Sequence, residues 1–346
     1  MTSVLDRLAA FPRIKLAHLP TPLERLDRLS AHIAAAGGPV IWVKRDDCTG
    51  LGLGGNKVRK LEYLMADALA EGADAVVTGG VVQSNHVRQT AAAAAKLGVA
   101  CHLAIMTGRV PRTDPDYDET GNIFLDRVFG AHCTMVDWRV DRNAVIATLL
   151  DALRRDGRKP YFIPYGGSSA LGALGFVRFV VEMLDQTNAV GMRIGHVVLA
   201  SGSAGTQAGL VVGLAALAPE VRVIGIDIDA EPERVRADVV RVALETARRL
   251  AFSPALLDNI VPAIEVVGGH AGPGYGLVNK ETVEAIRLAA ELEGLLFDPV
   301  YSGKGLAGCI ELVRSGRFAP RENVLFVHSG GIPALFAYRS AFAAGA

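Results

Sequence analysis

The sequence has no excess of charge of either sign: 36 lysines and arginines face 36 aspartates and glutamates. A chain without a net field has nothing to recruit a polyanion, so nucleic acid is not expected as a partner. Cysteine is scarce, with four in 346 residues. Cys48, Cys101, Cys133 and Cys309 show no C-x-x-C spacing, which argues against a disulfide framework and a thiolate metal site; no metal is expected, and a reducing cytoplasm suits them. No apolar leader is expected either, because Met1-Thr2-Ser3-Val4-Leu5-Asp6-Arg7 carries a charged pair where a signal peptide needs an apolar run. One uncharged stretch, 197–218, is long enough to span a bilayer, but Ser201-Gly202-Ser203-Ala204-Gly205-Thr206-Gln207 interrupts it. It reads as strand, loop and buried helix, and no membrane segment is expected. There is no internal repeat and no low-complexity linker.

Half of the residues are hydrophobic and about a fifth charged, the balance of a large globular core, and the length favours two domains. Short β-branched runs predict strands at 40–44, 75–78, 100–105, 133–136, 161–164, 196–200, 221–227 and 324–328. Helical spacing predicts helices at 58–71, 85–97, 141–156, 208–218, 231–250 and 281–293. Several strands are apolar without alternation, as strands covered on both faces are. The repeated βα order predicts an open, mostly parallel α/β architecture, with ligands beyond the carboxyl ends of the strands.

Four junctions there carry chemistry. In Gly50-Leu51-Gly52-Leu53-Gly54-Gly55-Asn56-Lys57-Val58-Arg59-Lys60, the glycines at 50, 52 and 55 formally match a dinucleotide fingerprint, but Arg45 to Thr49 separate them from the preceding strand. A Walker loop fails because Asn56 follows the last glycine. The alternative reading uses Lys57: glycines relieve crowding, and a partly desolvated amine attacks an aldehyde well. Lys60 shares its helix face and could reach a phosphate. A flexible turn before a basic surface helix fits the same residues, and nothing in them decides.

In Thr78-Gly79-Gly80-Val81-Val82-Gln83-Ser84-Asn85-His86, a strand ends and Ser84 or Asn85 caps a helix whose free N–H groups suit a carboxylate. An ordinary N-cap reads identically, and His86 alone reads as structural. After strand 196–200, the small residues Ser201 to Gly209 can turn backbone N–H groups inward as a phosphate nest; a tightly packed strand–helix turn competes with that reading. Pro273-Gly274-Tyr275-Gly276 and Asp298-Pro299-Val300-Tyr301-Ser302-Gly303-Lys304-Gly305 each set a tyrosine beside glycine, and His328-Ser329-Gly330-Gly331 follows the last strand. Together with the lysine and the nest, these loops supply what an aldehyde cofactor needs.

The segments Gly54 to Lys60, Gln83 to Gln89 and Asp298 to Tyr301 resemble the signatures of the D-cysteine desulfhydrase and 1-aminocyclopropane-1-carboxylate deaminase family, and the likeness runs from Leu19-Pro20-Thr21-Pro22-Leu23 to the final glycine loop. The resemblance implies the tryptophan-synthase-β type fold of pyridoxal-phosphate enzymes (fold type II): a large domain of residues 1–56 and 165–346, a small one of 57–164, and the cofactor between them. It implies that Lys57 binds the cofactor covalently and that Asn85 bonds its ring hydroxyl. Ser203, Ala204, Gly205 and Thr206, with Lys60, would hold its phosphate. Ser84, Asn85, His86 and Ser329 would receive the substrate, and Tyr275 and Tyr301 would flank the reacting carbon, with Lys57, Ser84 or a tyrosine moving protons. A homodimer is implied too.

One departure bears on chemistry. Ring-opening deaminases of this family carry glutamate where this chain has Ser302 and leucine where it has Ser329. A hydroxyl beside the ring nitrogen keeps it protonated less strongly than a carboxylate does, which suits β-elimination of a good leaving group better than cyclopropane opening. The expected substrate is a small β-substituted amino acid, first D-cysteine, with L-cysteate sulfo-lyase the near alternative and the cyclopropane deaminase less favoured. From other classes, a nicotinamide oxidoreductase using Gly50, Gly52 and Gly55, or a non-catalytic amino-acid binding protein, stays open.

Overall fold

The computed structural model describes residues 3–112 and 114–343; Met1 and Thr2 of the segment read for a leader lie outside them. Ten strands form two sheets: β1 (Leu23–Arg25), β2 (Val40–Arg45), β3 (Ala75–Val81), β4 (Ala100–Thr107), β5 (His132–Asp137), β6 (Pro160–Phe162), β7 (His196–Ser201), β8 (Arg222–Asp227), β9 (Ile264–Val267) and β10 (Asn323–His328). The larger sheet has the order β1-β2-β10-β7-β8-β9 and the smaller β5-β4-β3-β6. Every pairing is parallel except β1 with β2. The eight predicted strands are all present, shifted at their ends by a residue or a few. β1 and β9, of three and four residues, are too short to show a period.

Two long helices lie outside the six that helical spacing predicts, as do several of four to seven residues. The twenty-residue helix Ala170–Ala189 begins Ala-Leu-Gly-Ala-Leu-Gly, a composition that reads as loop. Its glycines serve close contact: a methyl on Gly172 would lie 2.1 Å from the Gly167 carbonyl oxygen, and one on Gly175 2.3 Å from that of Arg59. The helix therefore lies directly on the backbone of Lys57–Ala70. On its other side Gly205–Leu217 approaches as closely, since a methyl on Gly209 would sit 2.3 Å from the Ala173 carbonyl oxygen. Likewise the loop expected through Gly305 is already helix from Ser302, as part of Ser302–Arg314.

The carboxyl ends of both sheets face one cleft. Lining it are residues just past β3 (Ser84 to His86), β6 (Pro164 to Gly166), β7 (Gly202 to Ala204 and Thr206), β8 (Ile228, Asp229) and β10 (Ser329). Topology alone thus assembles the cavity from segments far apart in sequence. Among the described residues no helix is long and apolar enough to cross a membrane.

Candidate active site

The cleft encloses a cavity of about 660 Å³ that contains both Lys57 and the loop after β7, a size typical of small-molecule sites. Lys57 is the first residue of its helix; its cap, Asn56, donates through Nδ2 to Thr206 Oγ1 at 3.0 Å and through its main-chain N–H to the Ser329 carbonyl at 3.0 Å. The amine is thereby referenced to the nest and to the last glycine loop at once. Burial lowers Lys57 to about 8, with the buried carboxylate of Asp298 pulling the other way. At neutral pH a useful fraction of such an amine is an unprotonated nucleophile.

The glycines before Lys57 have a different job from the one expected of them. Gly54 and Gly55 have φ of +68° and +128°, and added methyl groups would strike the Asp47 carbonyl oxygen at 1.9 Å and Gln89 Nε2 at 2.5 Å. They make room for neighbouring chain, and Arg88 then pins the loop, donating to the carbonyls of Gly52 and, at 3.0 Å, Gly54. Gln89 joins the two helices, accepting from Val58 N at 3.0 Å and donating to the Asn85 carbonyl at 2.9 Å.

Ser84 caps the helix Asn85–Leu97, its Oγ accepting from Val87 N at 3.3 Å, and the first amides of that helix have no intrahelical acceptor. Asn85 is oriented from behind: Asn122 Nδ2 donates to its Oδ1 at 2.8 Å, which leaves the Asn85 amide nitrogen as a donor. His86 departs from the expectation of a carboxylate donor. Thr78 Oγ1 gives its hydrogen to the Ile163 carbonyl at 2.8 Å, so at 2.9 Å it can only accept from His86 Nε2–H. Nδ1 then carries a lone pair and has no partner, while burial with Lys57 and Lys60 nearby keeps the ring neutral. A ring in that state cannot donate to a carboxylate; what position 86 offers is its main-chain N–H.

In the loop after β7, Ser203, Ala204 and Thr206 line the cavity and Gly205 lies just behind. Ala204 holds φ +70°, a left-handed geometry that costs about 1–3 kcal/mol away from glycine and marks a backbone held for a purpose. Lys60, fully buried, donates to the Gly166 carbonyl at 3.1 Å. A methyl on Gly205 would come within 3.0 Å of its amine and 2.9 Å of Ser168 Oγ. The cradle is built of hydroxyls, first-turn amides and a lysine, the donor set of a phosphate monoester site.

Tyr275 and Tyr301 meet edge to face, ring centroids 5.8 Å apart, with their hydroxyls hydrogen-bonded. Burial raises both above the usual phenol range, so both are neutral at pH 7. Arg109 stacks on Tyr275 at 4.4 Å and pairs with Asp229 at 2.8 Å across the cleft.

Ser329 lines the cavity; Ser302, expected beside the ring nitrogen, does not. The Ser302 hydroxyl donates to Asp298 Oδ1 at 2.6 Å and accepts from Asp298 N at 3.0 Å, locking the start of its own helix. Of the two hydroxyls at the departure positions, only Ser329 faces the cavity. Asp298, which sequence reasoning treated as part of a turn, also accepts from the main-chain N–H of Val300 and Tyr301 at 3.0 and 2.8 Å. Only the topology puts it next to Lys57. Arg88, Gln89 and Asn122 carry no signal of a role in the sequence; the first two lie in the segment Gln83 to Gln89, but nothing there tells where they point. Among the described residues no group of three or more His, Cys, Asp or Glu side chains could hold a metal ion.

A family model for pyridoxal-phosphate dependent enzymes matches residues 14–330. The chain belongs to that family. A D-cysteine desulfhydrase of Salmonella typhi is 45% identical over 334 residues, 96% of this chain and 98% of the relative, and that of Salmonella newport strain SL254 matches to the same extent. The solved structure of an ACC deaminase homologue is 35% identical, with a TM-score of 0.87 over 99% of this chain and 98% of that one. O-ureido-L-serine synthase, at 18% identity and a TM-score of 0.66, shares the fold.

Pyridoxal phosphate is therefore the cofactor, in an enzyme of fold type II, and the residues present fit it. One cavity joins a lowered lysine to a cradle in which a single added methyl would collide with Lys60, and Asn85, its Oδ1 already taken by Asn122, lines the same cavity. The Gly50, Gly52 and Gly55 match to a dinucleotide loop is coincidental: Gly52 and Gly54 carbonyls are held by Arg88, and the nicotinamide reading falls away with the family.

Proposed function

We propose that this enzyme is a carbon–sulfur lyase that converts D-cysteine to pyruvate, sulfide and ammonia. The observation that carries the proposal is the half-buried Lys57, its amine lowered to about 8 by loss of solvent, in the same cavity as the phosphate cradle and the neutral tyrosine pair. The identity of the D-cysteine desulfhydrases supports the substrate. Bound pyridoxal phosphate supplies an electron sink for the bond broken at the α-carbon.

The chain's own groups do the rest. Lys57 would hold the cofactor through its Nζ and, with that amine free, would take the α-proton. Lys60 and residues 203 to 206 would hold the phosphate, and Asn85 would bond the ring hydroxyl through its Nδ2. Ser329, in place of Ser302, would meet the ring nitrogen. The amides of Asn85 and His86, with Ser84 Oγ, receive the substrate carboxylate. Tyr301 and Tyr275, being neutral, can give a proton to the departing thiolate and share it across their mutual hydrogen bond. With serine rather than a carboxylate at 302 and 329, a ring nitrogen there would be less strongly protonated, which favours elimination over ring opening.

A screen of purified protein for pyruvate release from D-cysteine, L-cysteine, L-cysteate, β-chloroalanine and the cyclopropane amino acid tests the substrate. Sulfide from D-cysteine at the highest kcat/KM is expected; faster sulfite release from L-cysteate would transfer the assignment to the sulfo-lyase. Tyr301→Phe is expected to lower kcat on the order of 10²-fold with KM little changed, read by sulfide release. Cofactor-stripped enzyme should take up pyridoxal phosphate at a rate that rises with pH and levels off above about 8, the value to which burial lowers Lys57, rather than near the ordinary lysine range. Stopped-flow absorbance measures it, and a rate still climbing at pH 10 contradicts the lowered amine.

The domain division at 57–164 is proposed on the two separate sheets, since β3 to β6 all fall within it. A cytoplasmic homodimer is proposed as well. Unpaired cysteines suit a reducing compartment, and exposed Phe124 and Val128 offer apolar surface for a second copy, which sedimentation velocity checks.

A further inference from the structure

The Tyr275 loop, between β9 and the helix Lys280–Glu293, contains Gly272, Gly274 and Gly276, all at positive φ. A segment so rich in glycine has the entropy to wander, and nothing in its sequence fixes the tyrosine ring. Two buried side chains grip it instead. Lys304 Nζ donates to the carbonyls of Ala271 and Gly274, at 2.5 and 2.8 Å. Tyr338 donates its hydroxyl to the Gly276 carbonyl at 3.0 Å. Both side chains are wholly buried. Among the described residues no carboxylate lies within ion-pair distance of Lys304, so a buried amine commits its donors to two loop carbonyls. Burial lowers it to about 8, and at neutral pH it still carries three hydrogens. Tyr338 is steadied in turn by an edge contact with Tyr117, ring centroids 5.6 Å apart.

The carbonyls of Gly274 and Gly276 flank Tyr275 on either side. Lys304 stands one helical turn from Tyr301, whose main-chain carbonyl accepts from Gly305 N at 2.9 Å. One helix start therefore carries one tyrosine and grips the loop of the other. We infer that Lys304 and Tyr338 are positioning residues, which hold Tyr275 at hydrogen-bonding distance from Tyr301 by clasping the carbonyls that flank it. A pair that must share a proton tolerates little displacement; misplacement by about an ångström costs on the order of 10²-fold. The inference rests on the assignment of the tyrosine pair to proton handling.

The test is a set of double-mutant cycles on holoenzyme, with sulfide release from D-cysteine as readout and cofactor absorbance as control. Lys304→Met is expected to lower kcat about 30-fold and Tyr338→Phe about fivefold, with KM and cofactor content near wild type. In the Tyr275→Phe background neither change should lower kcat further, because the ring that they position no longer carries a hydroxyl. Equal losses in both backgrounds would show a merely structural role and overturn the inference, as would unchanged kcat in Lys304→Met. Should Lys304→Met fail to fold, Tyr338→Phe, which keeps its ring in place, decides by the same cycle. Wild-type kcat in Tyr275→Phe alone would instead remove the tyrosine assignment, and the inference with it.

Discussion

Lys57→Ala is expected to lose turnover on the order of 10⁴-fold or more, together with the visible absorbance of covalently held cofactor. The size follows from two roles at one nitrogen, attachment of the cofactor and removal of the α-proton, which the variant loses together. Stability should not fall with activity. The amine is a desolvated group with no hydrogen-bond partner among the described residues, and its replacement removes a burial penalty, so the thermal midpoint of the cofactor-free protein is expected to hold or rise. Lys57→Arg should be as inactive as the alanine variant, because a guanidinium keeps its proton at any pH the protein survives. Pyruvate release, the absorption spectrum and thermal melts check all three statements. Turnover near wild type in either variant removes Lys57 from the chemistry.

The second large effect is on stability. Arg59 is wholly buried and donates to both oxygens of Asp46 at 2.8 Å and to Glu182 at 2.9 Å; Lys44, equally buried, bonds Glu182 at 2.5 Å and the Thr21 carbonyl and hydroxyl at 2.6 Å. Two cations and two carboxylates form a neutral cluster that ties the N-terminal segment, β2, the Lys57 helix and Ala170–Ala189 together. Arg59→Met leaves two buried carboxylates facing one lysine. The expected loss is about 3–5 kcal/mol, a fall in thermal midpoint of about 10 °C. Burial raises the Glu182 carboxyl, but hydrogen bonds and charge from Arg59 and Lys44 outweigh it and hold it at about 2. Its contribution is then complete above the ordinary glutamate range and is lost as pH falls toward 2. The deficit of Glu182→Gln relative to wild type should accordingly shrink between about pH 4.5 and pH 2. Urea unfolding across that range measures it; a deficit independent of pH contradicts the ion cluster.

Much of this architecture is legible in the chain because parallel strands covered on both sides are continuous apolar runs, as in Val197 to Leu199 and Val324 to Val327. The junctions at 84–86, 201–206 and 329 were legible for a related reason: a strand that ends in glycine or serine before a helix leaves amides free, and topology collects such ends. What escaped the sequence is whatever depends on the third dimension. Gly172 and Gly175 read as breakers in a row of residues, yet they are contact points once a second helix lies on them. Ser302 and Ser329 are equivalent as letters. Only the fold shows the Ser302 hydroxyl turned to Asp298 and Ser329 lining the cleft. The His86 tautomer depends on a carbonyl of Ile163, 77 positions away, that no motif contains.

The three helices that meet through Gly172, Gly175 and Gly209 act as a spacer of fixed thickness between Lys57 and the loop after β7. Thickness set by main chain against main chain cannot be tuned by exchanging side chains, since the smallest addition wedges the layers apart. Variation that retargets this scaffold to other amino acids should therefore concentrate on the rim that faces the substrate's β-carbon, around Arg109, Tyr275 and Tyr301, and leave the span from Lys57 to Thr206 untouched.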